Sequence, residues 1–226
     1  DLRDDDHRAL GEALRRARRV YCGFVFEQEL LETLADRDDR RVSFIHASLI
    51  ELDARLRQRG GGLIVRYGRS EDLVPALAAE LGVDAVFANR DYEPRAKARD
   101  ASVAAALQAV GRSFEACKDH VVFDGVEILT AAARPYTVFT PYRRAWLKRL
   151  GDDDLIASES AVGTLQAPPG ANAMPALADI GFVAAELESC QVQAGMSGAQ
   201  AALRNFLPRL EGYVASRDLP ALDATS

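Results

Sequence analysis

The chain has 226 residues, 48% of them hydrophobic and 27% charged, with a formal net charge of −6. That length allows one generous domain, or one domain with part of a second, and the balance is that of a water-soluble globular protein. No apolar run approaches membrane-spanning length and no signal-peptide pattern opens the sequence, so a cytoplasmic protein with no membrane partner is expected. Cys22, Cys117 and Cys190 are far apart, as are His7, His46 and His120. Neither set has metal or redox spacing, so no metal site is expected and buried thiols suit a reducing compartment. An acidic total neither supports nor excludes a nucleic-acid partner, because arginine is locally dense.

Residues 1–150 alternate between helix-like and strand-like pieces. Arg8 to Arg18 reads as a short amphipathic helix, and "VYCGFVF" (Val20 to Phe26) as a buried strand. Val42, Ile45, Leu49, Leu52 and Leu56 keep a helical spacing that stops at Gly60 to Gly62. "LIVRY" (Leu63 to Tyr67) is the next strand. Ser70 is expected to cap a helix running to Leu81, with Glu71 and Asp72 suiting its positive end. A strand from Asp84 to Ala88, a helix from Pro94 to Val110 and a strand at "SFEAC" (Ser113 to Cys117) follow. Proline at a first helical turn costs no hydrogen bond. Such alternation predicts an α/β fold, an open and mostly parallel sheet of about five strands flanked by helices. A sheet of this kind wants an initial strand, so residues ahead of Asp1 are expected.

Between the strand ending at Ala88 and the helix from Pro94 lie Asn89, Arg90, Asp91, Tyr92 and Glu93. The carboxyl edge of an open α/β sheet is where ligands bind, and the alternative is an ordinary strand-to-helix loop. After Leu150 the chain is rich in Asp, Ala, Gly and Pro, and residues 151–196 read as an irregular connector lying on the surface. From Ser197 to Ser216 a helix is expected, split or kinked at Pro208.

Four stretches carry a resemblance. "DLRDDDHRAL" is similar to the Arg-Asp-Leu-Arg segment that follows the first strand of the DNA photolyase/cryptochrome family, and "ANRDYEPRAKARD" to the loop after that sheet's fourth strand. Lys118 to Leu150 resembles the family's most recognisable N-terminal block, with Pro135-Tyr136, Val138-Phe139-Thr140-Pro141 and Ala145-Trp146. "YVASRDLPALDATS" resembles the entry to its flavin-binding domain. The pieces keep the family's order and spacing over nearly the whole chain. The resemblance implies a Rossmann-like antenna domain over 1–150, a connector over 151–196, and over 197–226 the first helices of an α-helical FAD domain. It places the catalytic flavin pocket, the electron-relay tryptophans and most of the DNA-binding surface beyond Ser226. No catalytic residue is therefore assigned here, and Trp146 reads as packing.

By the same resemblance Tyr213, Thr225 and Ser226 match the residues that hold the FAD phosphates, and Arg217 an arginine that contacts DNA phosphate. Hydroxyls and turn amides suit a pyrophosphate, and a guanidinium–phosphate contact positions a strand without reading sequence. The basic run Arg143, Arg144, Lys148 and Arg149 also fits a solvated helix end. Where folate-binding relatives carry an Asn-Glu pair, this sequence has Arg95 and Ala96. It keeps the Asn-x-Asp-x-Glu-Pro pattern of deazaflavin-binding members, so Arg3, Asn89, Asp91 and Glu93 are the antenna candidates. Deazaflavin or FMN is favoured over methenyltetrahydrofolate.

The function implied is that of a deoxyribodipyrimidine photolyase, a lyase using FAD and an antenna chromophore to repair pyrimidine dimers in damaged DNA, acting as a monomer. These residues alone are not expected to be catalytic. A cryptochrome-type photoreceptor is the alternative. A nucleotide-binding module of the electron-transfer-flavoprotein type is a third reading, weakened because Gly60 to Gly62 precede a strand rather than a helix.

Overall fold

In a computed structural model, residues 2–157, 163–170, 172–187 and 192–219 are described. In chain order the larger elements are α1 (Arg8–Arg16), β1 (Cys22–Glu27), α2 (Gln28–Glu32), α3 (Arg40–Gln58), β2 (Leu63–Gly68), α4 (Ser70–Glu80), β3 (Ala85–Asn89), α5 (Pro94–Ala109), β4 (Ser113–Cys117), α6 (Phe139–Arg149), α7 (Gly195–Phe206) and α8 (Tyr213–Ser216). Short 3-10 turns lie at Asp152–Leu155, Leu177–Ile180 and Leu207–Gly212.

α3 starts because the Asp39 carboxylate accepts the Arg41 N–H at 2.8 Å, and stops at Gly60, whose φ of +83° an L side chain resists. Its apolar face sends Val42, Leu49, Leu52 and Leu56 into the core. Asp53 on the same helix accepts the Leu63 N–H at 2.7 Å, which ties the start of β2 to α3. α5 opens with Pro94 at its first turn, as the sequence leads one to expect. Ser70 is a correction. It is the first residue of α4 rather than its cap, and its hydroxyl donates to Glu27. Glu27, at the end of β1, also accepts the Ser70 N–H at 3.2 Å, so the cap comes from another element.

Among the described residues the strands form two parallel pairs rather than one five-stranded sheet. β1 pairs with β2 from Cys22 opposite Leu63 to Glu27 opposite Gly68, and β3 with β4 from Ala85 opposite Ser113 to Asn89 opposite Cys117. Both pairs are packed between helices. Val86 of β3 meets Ala78 of α4 and Val103 and Leu107 of α5, while its neighbour Phe87 packs toward the larger core shared by α1, α3, β1 and β2. Successive strand residues face opposite ways, so each pair has two covered faces.

The stretch after Leu150 is also corrected. Leu165, Ile180 and Phe182 belong to the main core, and Ile180 and Phe182 are only 1% and 2% exposed. Val20 and Leu165 form a parallel bridge in which the Val20 N–H reaches Thr164 and the Gln166 N–H returns to Val20. The connector thus packs along the sheet instead of lying on the surface, because a few isolated apolar side chains suffice to anchor it. α7 meets α3: Ser48 accepts the Gly195 N–H at 3.0 Å, and Glu51 accepts both the N–H and the hydroxyl of Ser197 at 2.9 and 2.6 Å. Gly195 has a φ of +82°, a conformation an L side chain resists, and a β-carbon there would push the Glu51 carboxylate aside. The expected helix over 197–216 is broken in the manner Pro208 dictates, with α7 ending at Phe206 and a 3-10 turn leading to α8.

Candidate chromophore site at the carboxyl edge

β3 and β4 end side by side at Asn89 and Cys117, and two residues later the chain reaches Asp119. The Asp119 side chain is 3% exposed. Its Oδ2 accepts Arg3 Nη2 at 2.6 Å and Asn89 Nδ2 at 3.0 Å, and its Oδ1 accepts the Arg8 N–H at 3.1 Å. Asn89 Oδ1 accepts the Ala9 N–H at 2.9 Å, and His7 Nδ1 accepts the Leu10 N–H at 3.1 Å. The free amides of the first turn of α1 are therefore met by three side chains, one an anion at the positive end of the helix dipole.

His7 has its pKa held below the ordinary value of 6.5, chiefly by burial, with the Asp119 carboxylate opposing that shift. The neutral ring is the one that can accept from Leu10. A depressed histidine leaves the unfolded chain binding more protons, so the contribution of His7 is complete above about pH 6.5 and is lost as pH falls through the folded value. Urea midpoints measured from pH 7.5 down to 5 should fall, and His7→Asn, which keeps a capping oxygen, should flatten that fall. An equal fall in both proteins would remove His7 as its source.

Arg3 has a second face. Its Nε is buried with no hydrogen-bond partner among the described residues. The same side chain lines a mostly apolar cavity of about 200 Å³ between Leu2, Phe44 and Ser48 of α3, and Gly195 and Met196 of α7. An orphaned buried donor costs free energy unless something fills its need. Pockets that enclose a drug-sized ligand run to roughly 300 Å³ or more, so this cavity fits one end of a cofactor rather than all of it.

The other antenna candidates are placed differently. Asp91 turns its carboxylate back on the Tyr92 and Glu93 N–H groups at 2.6 and 3.1 Å, the latter contact leading the depression of its pKa. Glu93 is exposed at the start of α5. Tyr92 donates its hydroxyl to Asp124 at 3.1 Å, and Arg90 also pairs with Asp124. Burial, then Asp124, pushes the Tyr92 phenol upward. So the structure joins Arg3 and Asn89 through Asp119 and keeps Asp91 and Glu93 in the β3–α5 turn. Asp119 and His7 were not singled out in the sequence as site residues. A lone Asp two residues past β4, near the carboxyl end of the neighbouring strand, is the signal that could have found the first.

At the folate-pair positions, Arg95 pairs with Glu29 at 2.9 Å and Ala96 is buried. Trp146 stacks edge-on against Phe123 at 5.4 Å, in keeping with packing, and the Arg149 guanidinium lies 5.0 Å from the same ring. Tyr213 meets Phe206 edge to face at 5.4 Å, and Arg217 pairs with Asp218 at 3.5 Å. Thr225 and Ser226 lie outside the described residues. Among the described residues no cluster of His, Cys, Asp or Glu is placed to hold a metal, and no helix is long and apolar enough to cross a membrane.

The family model for DNA photolyase matches residues 1–161. The chain belongs to the DNA photolyase family. Over 234 residues it is 29% identical to a deoxyribodipyrimidine photo-lyase of Synechococcus sp., a match covering 100% of this chain and 48% of that one. A bacterial class III photolyase from Agrobacterium tumefaciens superposes with a TM-score of 0.81 at 27% identity, over 100% of this chain and 46% of its own. An archaeal photolyase from Sulfolobus tokodaii, solved with two FAD molecules and described as implying a novel light-harvesting cofactor, gives 0.67 at 25% identity over 83% of this chain and 41% of its own. This photolyase-family chain thus spans about half the length of the relatives it matches, and its mixed α/β architecture is theirs.

Proposed function

We propose that the whole protein is a deoxyribodipyrimidine photolyase that repairs pyrimidine dimers in damaged DNA, and that residues 2–199 contribute its antenna site. The observation that carries this reading is the end-to-end likeness of the chain to photolyases. When bound, FAD supplies the light-driven electron for dimer splitting, and an antenna chromophore supplies excitation to it. A monomer working in the cytoplasm is part of the same proposal. Tyr213, Thr225 and Ser226 remain the candidates for the FAD phosphates, and Arg217 for a DNA phosphate. A partly exposed guanidinium beside an exposed carboxylate can exchange that weak partner for a phosphate.

Within the antenna site each residue of this chain has a physical task. Arg3 Nε is the donor left over for a polar edge of a chromophore, while Leu2, Phe44 and Met196 offer apolar walls. Asn89 and Asp119 act as positioning residues that hold the Arg3 guanidinium. Asp91 and Glu93 shape the adjoining turn. An arginine at 95 and a buried alanine at 96 support deazaflavin or FMN over methenyltetrahydrofolate, since neither residue offers a folate the expected amide and carboxylate.

Two measurements on the full-length protein test this. Illumination should restore dimer-containing DNA and darkness should not; FAD binding without light-dependent repair would favour a cryptochrome-type photoreceptor. Reconstitution with 8-hydroxydeazaflavin, FMN and methenyltetrahydrofolate, followed by desalting and absorbance, should show retention of a flavin-type ring. Arg3→Gln should weaken that retention by about ten- to a hundredfold, the loss of one charge-assisted hydrogen bond. Retention of folate alone, or indifference to Arg3→Gln, would overturn the assignment.

A further inference from the structure

The described residues 118–138, between β4 and α6, form neither helix nor strand. Their order comes from side chains instead. The Asp124 N–H donates to Glu127 Oε2 at 2.6 Å, and the Glu127 N–H returns to the Asp124 carbonyl at 2.9 Å. This reciprocal closure fixes the two carboxylates relative to each other, and each has further partners of its own. The Asp124 side chain is 15% exposed and turns to the loop after β3, where it pairs with Arg90 and accepts the Tyr92 hydroxyl at 3.1 Å. Glu127 accepts Lys118 Nζ at 2.8 and 3.1 Å. Arg149, in the last turn of α6, lies 3.5 Å from the same carboxylate and also donates to the Glu127 carbonyl.

Packing runs along the same line. Phe123 is buried and meets Trp146 of α6 edge-on, with the Arg149 guanidinium 5.0 Å and the Lys118 ammonium 5.9 Å from its ring centre. The Lys118 ammonium, then the Asp124 N–H, hold the Glu127 carboxyl below its ordinary range, so it stays an acceptor at neutral pH. One exposed ion pair is worth little, because screening and side-chain entropy offset its attraction. Here each acceptor is shared and the placement of each group depends on the next. That is where a network exceeds its separate pairs.

At the other end of the line, Arg90 and Tyr92 flank Asp91, whose carboxylate closes the turn on the Tyr92 and Glu93 N–H groups. Arg90 also follows directly on Asn89, which shares Asp119 with Arg3. The Arg90 N–H donates to the Cys117 carbonyl at 2.8 Å, and its guanidinium to that of Ala116 at 3.1 Å. Those bonds tie the foot of the loop to β4, and Asp124 ties its crest. We propose that Asp124 is a positioning residue of the antenna loop, and that Glu127 transmits the placement of α6 to it. The turn between the two carboxylates is a strut, and coupling along it passes through contiguous bonded groups. The bearing on a chromophore rests on the antenna reading above; the link between α6 and the loop does not.

Hydrogen–deuterium exchange of the Arg90, Tyr92 and Glu93 amides reads the loop directly. Asp124→Ala should speed it by about ten- to a hundredfold, the loss of one charge-assisted hydrogen bond, while residues 22–27 keep the parent's rate. Should those residues speed up too, Asp124→Asn gives the same reading with the side-chain shape kept. Arg149→Met, at the far end of the strut, should speed the same amides by about threefold, the worth of one exposed pair. Arg149→Lys should restore the parent's rate, and Lys148→Met, exposed one position away, should leave it unchanged. In the Asp124→Ala background Arg149→Met should add nothing, because the path is already cut. In the full-length protein Asp124→Asn should release a flavin-type ring about tenfold faster. A loop indifferent to both Asp124 variants would overturn the proposal. So would an Arg149→Met effect undiminished by Asp124→Ala, or unchanged release of a ring that the parent retains. A parent that retains no ring would sink the antenna reading instead, and exchange alone would then uphold or overturn the strut.

Discussion

Asp119→Ala should destabilise the protein by about 3–5 kcal/mol, the cost of breaking a buried ion pair from one side. The substitution strips Arg3 Nη2, the Arg8 N–H and Asn89 Nδ2 of one shared acceptor. Arg3 is about a third exposed and can recover some hydration, which favours the lower end of that range. Asp119→Asn keeps an acceptor oxygen near Arg8 but loses the charge, and should cost about 1–3 kcal/mol. Urea unfolding of both variants at pH 7.5 measures the pair. A loss below about 1 kcal/mol for Asp119→Ala would mean that the start of α1 is held by something else. The same variant should also loosen Arg3 from its place on the cavity wall, so chromophore retention by the full-length protein should drop with it.

Much of this architecture is legible in the sequence because burial on two faces leaves a plain mark. "LIVRY" and "SFEAC" are short apolar runs between amphipathic helices, and they become β2 and β4 as parallel strands. Pro94 marks the start of α5, and Pro208 the end of α7, because a missing N–H acts locally. Where partners come from distant residues, the sequence is silent. Glu27 takes over the capping that Ser70 seemed equipped to do, across 43 residues, and Asp119 reaches Arg3 across 116. Neither contact has a period or a motif. The antenna loop divides for the same reason: Asn89 ends a strand and points its amide at α1, while Asp91, two residues on, closes a turn on its own backbone. Type and order of residues marked the loop, but only the fold separates those that hold Arg3 from those that shape the turn.

Phe182→Ala should cost about 3–5 kcal/mol, as large an effect as any core truncation, although it lies in a stretch whose composition reads as a surface connector. The ring is 2% exposed and sits beneath the Arg37 guanidinium, 5.4 Å from its carbon to the ring centre. Its backbone is pinned as well: the Phe182 N–H donates to the Leu177 carbonyl at 2.9 Å, and the Val183 N–H to that of Arg37 at 2.8 Å. With neighbours fixed on both sides the site cannot collapse around an alanine, so a cavity remains and the upper half of the range applies. For a chain of this size each kcal/mol lowers the thermal midpoint by roughly 2–4 °C, which gives a drop on the order of 8–20 °C. Val183→Ala is the control, because that side chain is 59% exposed and should change stability by no more than about 0.5 kcal/mol. If the connector were a loose tether, both variants would melt with the parent protein, and the core would have to close without Leu165, Ile180 and Phe182. A single cooperative transition, shifted strongly by Phe182→Ala and hardly by Val183→Ala, places the connector inside the folding unit that carries the antenna site.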